Sequence, residues 1–319
     1  MTELQKYLAE EVAEDVADGI LTRREAMQRL GVLGFTASAA AAMLAAKAEA
    51  APTAPRRGPR HGGRRGSTDD WAPVDTVPIT FPGPRGELMA AWAEAEDPRG
   101  AVLVIHENRG LTDHIRTVAS RLAGSGYSSL ALDLLSEEGG TASFPNEDAL
   151  MEALNKAAEA PERFDADMQA AVTELERRLP DAGLGAIGFC FGGGMIWRLL
   201  TSGERRLDAA APFYGPFPTG GSFGDSHAAV LGVYGGLDER VNATRDAAQA
   251  ALDAARLKYK LLTFTNANHA FFNDTGARFD LPAAAEAYHR VLDWFDRFVA
   301  DRHRGHGHGH HRDDDDDDD

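Results

Sequence analysis

Cysteine is almost missing from this chain: one residue, Cys190, in 319. No disulfide can form within the chain, so the thiol is either buried filler or chemistry. Long apolar runs are also missing. The stretch 30–46 is only mildly apolar and rich in Ala and Gly, and no membrane span is expected in the part that follows it. Internal repeats and a phosphate-binding P-loop are absent as well. Basic residues are outnumbered, 33 Lys and Arg against 50 Asp and Glu, for a net charge of −17. An acidic folded part argues against nucleic acid as a partner. The stretch 71–300 is long enough to bury a sizeable core without disulfides or metals.

What is present centres on that one thiol. An apolar run from Leu184 leads into Gly188-Phe189-Cys190-Phe191-Gly192-Gly193-Gly194, and an apolar helical run from Met195 to Leu200 follows. This is the layout of a nucleophile elbow, with sulfur where serine is commoner. The turn from strand to helix is so tight that side chains at Gly188 and Gly192 would collide. A thiol held there lies at a helix N-terminus, where the dipole favours thiolate. Two further residues stand at the ends of apolar runs. Val230–Tyr234 leads to Gly235-Gly236-Leu237-Asp238, and Tyr259–Phe264 leads to Asn268-His269-Ala270-Phe271. Taken alone, Asp238 reads as a turn or helix-cap residue and His269 as an ordinary loop histidine. Together with the elbow they give the order nucleophile, acid, histidine, which is the chain order of α/β-hydrolases.

The periodicity predicts an antiparallel hairpin from 77–81 and 88–95 and strands at 102–105, 128–132, 185–187, 209–214, 230–234 and 259–264. Helices are predicted at 115–123, 147–158, 163–179, 195–200, 243–255 and 283–299. Trp294, Phe295 and Phe298 read as core packing of the last helix. Alternating strands and helices imply a doubly wound, mostly parallel α/β sheet with helices on both faces and sites at the strand carboxyl ends.

On Gly188–Gly193, Gly235–Asp238, Asn268–Phe271 and His106-Glu107-Asn108-Arg109-Gly110-Leu111, the chain resembles the dienelactone hydrolase family over roughly 76–300. The resemblance implies a thioester acyl-enzyme on Cys190, with His269 as base and Asp238 orienting it. It implies that the acid Glu107 contacts the resting thiol and helps deprotonate it, although Glu107 alone could pair with Arg109 or cap a helix. It implies an oxyanion hole from the backbone N–H groups of Asn108 and Phe191. Arg109, Tyr214, Phe191 and Phe271 are candidate pocket residues, each with core packing as the alternative. No cofactor and no catalytic metal are expected. Family members that hydrolyse dienelactone hold its carboxylate with arginines just after an Asp-Leu segment and a few residues after the histidine. Here those segments are Asp133-Leu134-Leu135-Ser136-Glu137-Glu138 and His269-Ala270-Phe271-Phe272-Asn273-Asp274, with no arginine. A neutral ester or lactone is therefore the expected substrate. The alternatives are a thioester hydrolase on the same fold, or an exported binding or metal-sequestering protein on a hydrolase scaffold.

The flanks read separately. Residues 1–51 resemble a twin-arginine signal, with Arg23-Arg24 before the apolar stretch and Ala48-Glu49-Ala50 as a small-x-small cleavage site. The twin-arginine export machinery is then an expected partner and the location periplasmic or extracellular, with cytoplasmic as the alternative. An amphipathic N-terminal helix is the other reading of this segment. Residues 52–70, with five arginines among Pro, Gly and His, read as a disordered basic linker. Residues 301–319, a His tract and seven aspartates, read as a disordered tail able to bind divalent metal weakly.

Overall fold

The computed structural model describes residues 1–50, 73–224 and 226–300; the expectations for 52–70 and 301–319 lie outside them. The core is one eight-stranded sheet. Its strands are β1 (Val77–Gly83), β2 (Gly86–Ala93), β3 (Gly100–Ile105), β4 (Tyr127–Leu132), β5 (Leu184–Phe189), β6 (Ala209–Phe213), β7 (Ala229–Gly235) and β8 (Tyr259–Phe264). They lie in the order β1-β2-β4-β3-β5-β6-β7-β8. The β1–β2 hairpin and the β2–β4 pair are antiparallel, and all other pairs are parallel. Strands β3 to β7 are buried along their whole length. That is why they read as unbroken apolar runs rather than alternating ones: a parallel strand covered by helices on both faces has no wet side.

From β3 the chain crosses to β4 on one side and later to β5 on the other. Loops leaving β3 and β5 therefore diverge and open a crevice at the sheet's carboxyl edge. Seven helices dress the sheet: α4 (Asp113–Gly124), α5 (Glu147–Ala157), α6 (Glu162–Arg178), α7 (Phe191–Thr201), α8 (Glu239–Asn242), α9 (Arg245–Ala255) and α10 (Leu281–Phe298). The helix expected over 243–255 is α9, and a short helix that was not expected, α8, precedes it because Asp238 caps a separate turn there. Of Trp294, Phe295 and Phe298, only Phe295 is fully buried. Trp294 and Phe298 are half-buried and pack on each other, with ring centroids 4.7 Å apart.

The N-terminal segment folds into three helices, α1 (Glu3–Ala17), α2 (Arg23–Val32) and α3 (Ala37–Ala50). Leu8, Val12, Ala26, Leu30, Ala40 and Leu44 are buried among them. They are also fastened to the rest of the fold. Thr2 Oγ1 donates to the carbonyl of Ala158 at 2.8 Å, and Arg29 pairs with Glu147 at 2.8 Å and Asp148 at 3.3 Å. Thr22 and Glu25, which flank the arginine pair, form a capping box that starts α2. Arg23 and Arg24 are exposed in its first turn. No described helix is long and apolar enough to cross a membrane.

Candidate active site

Strand β5 ends at Phe189, Cys190 takes φ +56° and ψ −118°, and α7 starts at Phe191. Few side chains adopt a positive φ, so the backbone is strained and must be held by its surroundings. The neighbours show what holds it. A Cβ on Gly188 would lie 2.2 Å from the Gly192 carbonyl oxygen, and one on Gly192 would lie 2.4 Å from that of Ile105. Only glycine lets β5, α7 and the end of β3 approach this closely.

Two other strand ends bring the partners. Asp238 follows β7 and His269 follows β8. His269 Nδ1 lies 2.6 Å from Asp238 Oδ2, while Asp238 Oδ1 accepts from the N–H of Val241 at 3.1 Å. One Asp238 oxygen therefore caps the following helix while the other holds the His269 ring. Burial works to lower the pKa of His269, but Asp238 and Cys190 outweigh it and push it up to about 9. A raised histidine pKa stabilises the fold below its ordinary value of 6.5, and that contribution fades as pH climbs through about 9. Asn268 fixes the loop by accepting from the His269 N–H at 2.7 Å.

Glu107, after β3, is buried. Its Oε2 accepts from Asn273 Nδ2 at 2.6 Å, and its Oε1 has no hydrogen-bond partner. It lines the same cavity as Cys190 and His269, of about 220 Å³. The hydroxyl of Tyr7, from α1, also reaches the resting thiol, 3.3 Å from Cys190 Sγ. Among the described residues the N–H groups of Asn108 and Phe191 have no acceptor, so both are free to serve an oxyanion. Arg109 lines the cavity and faces Glu147 at 3.7 Å.

Tyr214, Phe191 and Phe271 do not line this cavity. Tyr214 is buried behind His269 with ring centroids 5.1 Å apart, and Phe271 packs on Tyr214 at 5.5 Å. Phe191 stacks on His106 and meets Phe164 edge to face. Aromatic rings at strand ends are large enough to be drawn into the core, and here it claimed all three. His106 is structural too. Its Nδ1 meets the Glu107 carbonyl at 2.6 Å, its Nε2 accepts from Leu134 N–H at 3.0 Å, and burial above all lowers its pKa.

Sequence reasoning missed the residues that α1 brings to the site and the arginines that meet them. Glu11 Oε1 lies 3.3 Å from His269 Nε2, and the same carboxylate pairs with Arg240. Asp15 lies 3.0 Å from Arg278, which also donates to Asp18 at 2.6 Å. The available signal was the spacing of Tyr7, Glu11 and Asp15, four residues apart and so on one helix face. The Glu11 carboxylate, Cys190 Sγ and His269 Nε2 lie within 4.8 Å of one another, a donor set that a divalent transition metal could share.

A family model of the dienelactone hydrolase family matches residues 88–299. The chain belongs to that family. It is 30% identical over 231 residues to a protein of Escherichia coli O157:H7 provisionally named carboxymethylenebutenolidase, covering 67% of this chain and 84% of that one. A protein of the same provisional name from Saccharolobus solfataricus is 31% identical over 248 residues, covering 66% and 94%. The crystal structure of a provisionally named dienelactone hydrolase from Klebsiella pneumoniae superposes with a TM-score of 0.62 at 26% identity, over 70% of this chain and 99% of that one. A dienelactone hydrolase-like promiscuous phosphotriesterase from metagenomic libraries shares the fold, with a TM-score of 0.63 at 24% identity over 72% and 100%. The protein is therefore a carboxylic ester hydrolase of the dienelactone hydrolase family. Helices α1 to α3 lie outside the family match, which begins at Leu88.

The charge balance at His269 is open to a direct check. In the full chain, an NMR titration of the His269 ring should find its pKa near 9. Asp238→Asn should move it back towards 6.5, since Asp238 is the strongest raising influence. Wild-type His269 titrating at its ordinary value would refute the ion-pair picture.

Proposed function

We propose that the protein hydrolyses ester or lactone bonds through a thioester on Cys190. The single observation that carries this reading is the strained Cys190 at a helix N-terminus, in one cavity with His269, whose far nitrogen is held by Asp238 at 2.6 Å. Cys190 Sγ attacks the carbonyl carbon, and the oxyanion is taken up by the N–H groups of Asn108 and Phe191. His269 accepts the thiol proton, gives it to the departing alkoxide, and then draws a proton from water as that water attacks the thioester. Asp238 holds the ring in the tautomer and orientation the cycle needs. Glu107 stands in the cavity as a second carboxylate, with one oxygen free to meet the thiol proton when substrate displaces the resting contacts.

We further propose a preference for uncharged substrates. Glu137 and Glu138 stand where the family's first clamp arginine would be, and both are tied to Arg163. Asn273 follows the histidine where the second would be, and it binds Glu107. Export through the twin-arginine route is our reading of the N-terminal segment. It is supported by the exposed Arg23 and Arg24 ahead of the apolar stretch, and it places the mature protein in the periplasm or outside the cell.

Three outcomes test these readings. Cys190→Ala should lower kcat/KM for a p-nitrophenyl ester by well over tenfold, the equivalent of about 1.4 kcal/mol. A variant that keeps more than about a tenth of wild-type activity rules the thiol out as nucleophile. For a carboxylate-bearing lactone and its methyl ester, the neutral compound should have the higher kcat/KM, because a charged hydrogen bond contributes about 1.5–3 kcal/mol and two are missing. If the anion wins by about tenfold or more, the preference is wrong. Arg109, which lines the cavity, is then the first cation to remove, with Arg278 on the same cavity wall as the second. Replacing Arg23 and Arg24 together with Lys should hold the precursor in the cytoplasm, because the export receptor reads the pair and not charge alone. Wild-type protein found in the soluble cytoplasm with Met1 still in place contradicts export.

A further inference from the structure

A carbonyl carbon must come within about 3–3.5 Å of the attacking sulfur. A leaving oxygen or an attacking water must come within hydrogen-bond reach of the imidazole nitrogen that faces it. In this structure both places are taken. The Tyr7 hydroxyl stands 3.3 Å from Cys190 Sγ, and Glu11 Oε1 stands 3.3 Å from His269 Nε2. Tyr7, Glu11, Cys190 and His269 are each 5% exposed or less.

We propose that α1 is a built-in plug of the active site: the docked form is closed to substrate, and catalysis requires α1 to leave the mouth of the crevice. This rests on Cys190 and His269 being the reacting groups, as proposed above.

The contacts have the chemistry of a latch. The face of α1 that carries Tyr7, Glu11, Asp15 and Asp18 meets two arginines of the catalytic core. Arg240 pairs with Glu11 and lies over the Tyr7 ring, 4.4 Å from its centroid. Arg278 is held by Asp15 at 3.0 Å and Asp18 at 2.6 Å. Burial first, and then Cys190, raise the pKa of Tyr7 well above the phenol range, so its hydroxyl keeps its proton and can donate to sulfur. Glu11 and Asp238 bracket the His269 ring from its two nitrogens. An imidazole held as a cation between two carboxylates is a poor base.

The plug is also built as a unit. Helices α1, α2 and α3 pack chiefly on one another, with Lys47 of α3 bonded to Glu14 of α1 at 2.5 Å. They form a separate stretch of chain ahead of residue 51, outside the part matched to the family. Cleavage near residue 51, the site proposed for export processing, would separate plug from enzyme.

The test uses the full chain and two unrelated ways of unseating α1. Leu8→Asp places a charge on the fully buried apolar side of α1, and the pair Asp15→Ala with Asp18→Ala cuts the Arg278 latch. None of these residues is hydrogen-bonded to Cys190 or His269; Asp15 lines their cavity and Asp18 also accepts from Asn268 Nδ2 at 3.1 Å, which Leu8→Asp leaves in place. Two rates are read: alkylation of Cys190, the only thiol, by iodoacetamide, and turnover of a neutral p-nitrophenyl ester. Both variants should raise both rates at least tenfold over wild type. Rates equal to or below wild type in both variants overturn the plug, whatever the enzyme's activity. Faster alkylation with no ester turnover, in variants that keep the wild-type circular dichroism and melting temperature, supports the plug and instead refutes the hydrolase reading. Global unfolding, which also exposes the thiol, is excluded as the cause where turnover rises with alkylation.

Discussion

Everything at this site depends on one backbone constraint, the positive φ of Cys190 at the junction of β5 and α7. The strained turn lifts the thiol above the sheet's carboxyl edge and puts it at the N-terminal end of a helix. It persists because its surroundings leave no alternative. Gly188 and Gly192 allow backbone oxygens of Gly192 and Ile105 to come where a Cβ would otherwise be. β5 itself is locked between β3 and β6. A strain of this kind costs on the order of 1–3 kcal/mol and is met by the packing of the fully buried central strands. Topology then brings the proposed triad together. Parallel strands all point the same way, so the loops after β5, β7 and β8 deliver Cys190, Asp238 and His269 to one edge.

The electrostatics of the crevice follow from putting many charges in little space. His269 faces carboxylates from both sides, Asp238 on Nδ1 and Glu11 on Nε2. Two arginines, Arg240 and Arg278, answer the acids of α1. Glu107 keeps one buried oxygen without a partner. A buried polar atom left unpaired is costly, about 1–3 kcal/mol.

Much of this was legible in the sequence, for identifiable reasons. A nucleophile elbow needs glycine at particular offsets, so Gly188, Gly192 and Gly193 announce Cys190. Strands buried on both faces are written as short apolar runs, so β3 to β7 could be placed to within a residue or two. The positions of Asp238 and His269 followed from the ends of those runs. Other features were not legible. Tyr214, Phe191 and Phe271 could have lined a pocket or filled the core, and an aromatic ring does not declare its side; packing around His269, His106 and Phe164 decided it. Tyr7 and Cys190 are 183 residues apart, and no local pattern predicts where a helix will dock at such a distance. The residues of α1 also serve local needs, since its caps and its buried apolar side explain it as a helix without the active site.

The central claim, that Cys190 carries the acyl group, meets its most direct test in intact-protein mass spectrometry during turnover of a slow ester. The account predicts a mass increase equal to the acyl group, mapped to the peptide containing Cys190 and removed by hydroxylamine at neutral pH, as a thioester should be. Steady turnover of the ester with no acyl adduct trapped on quenching, or with the adduct on another residue, would contradict it.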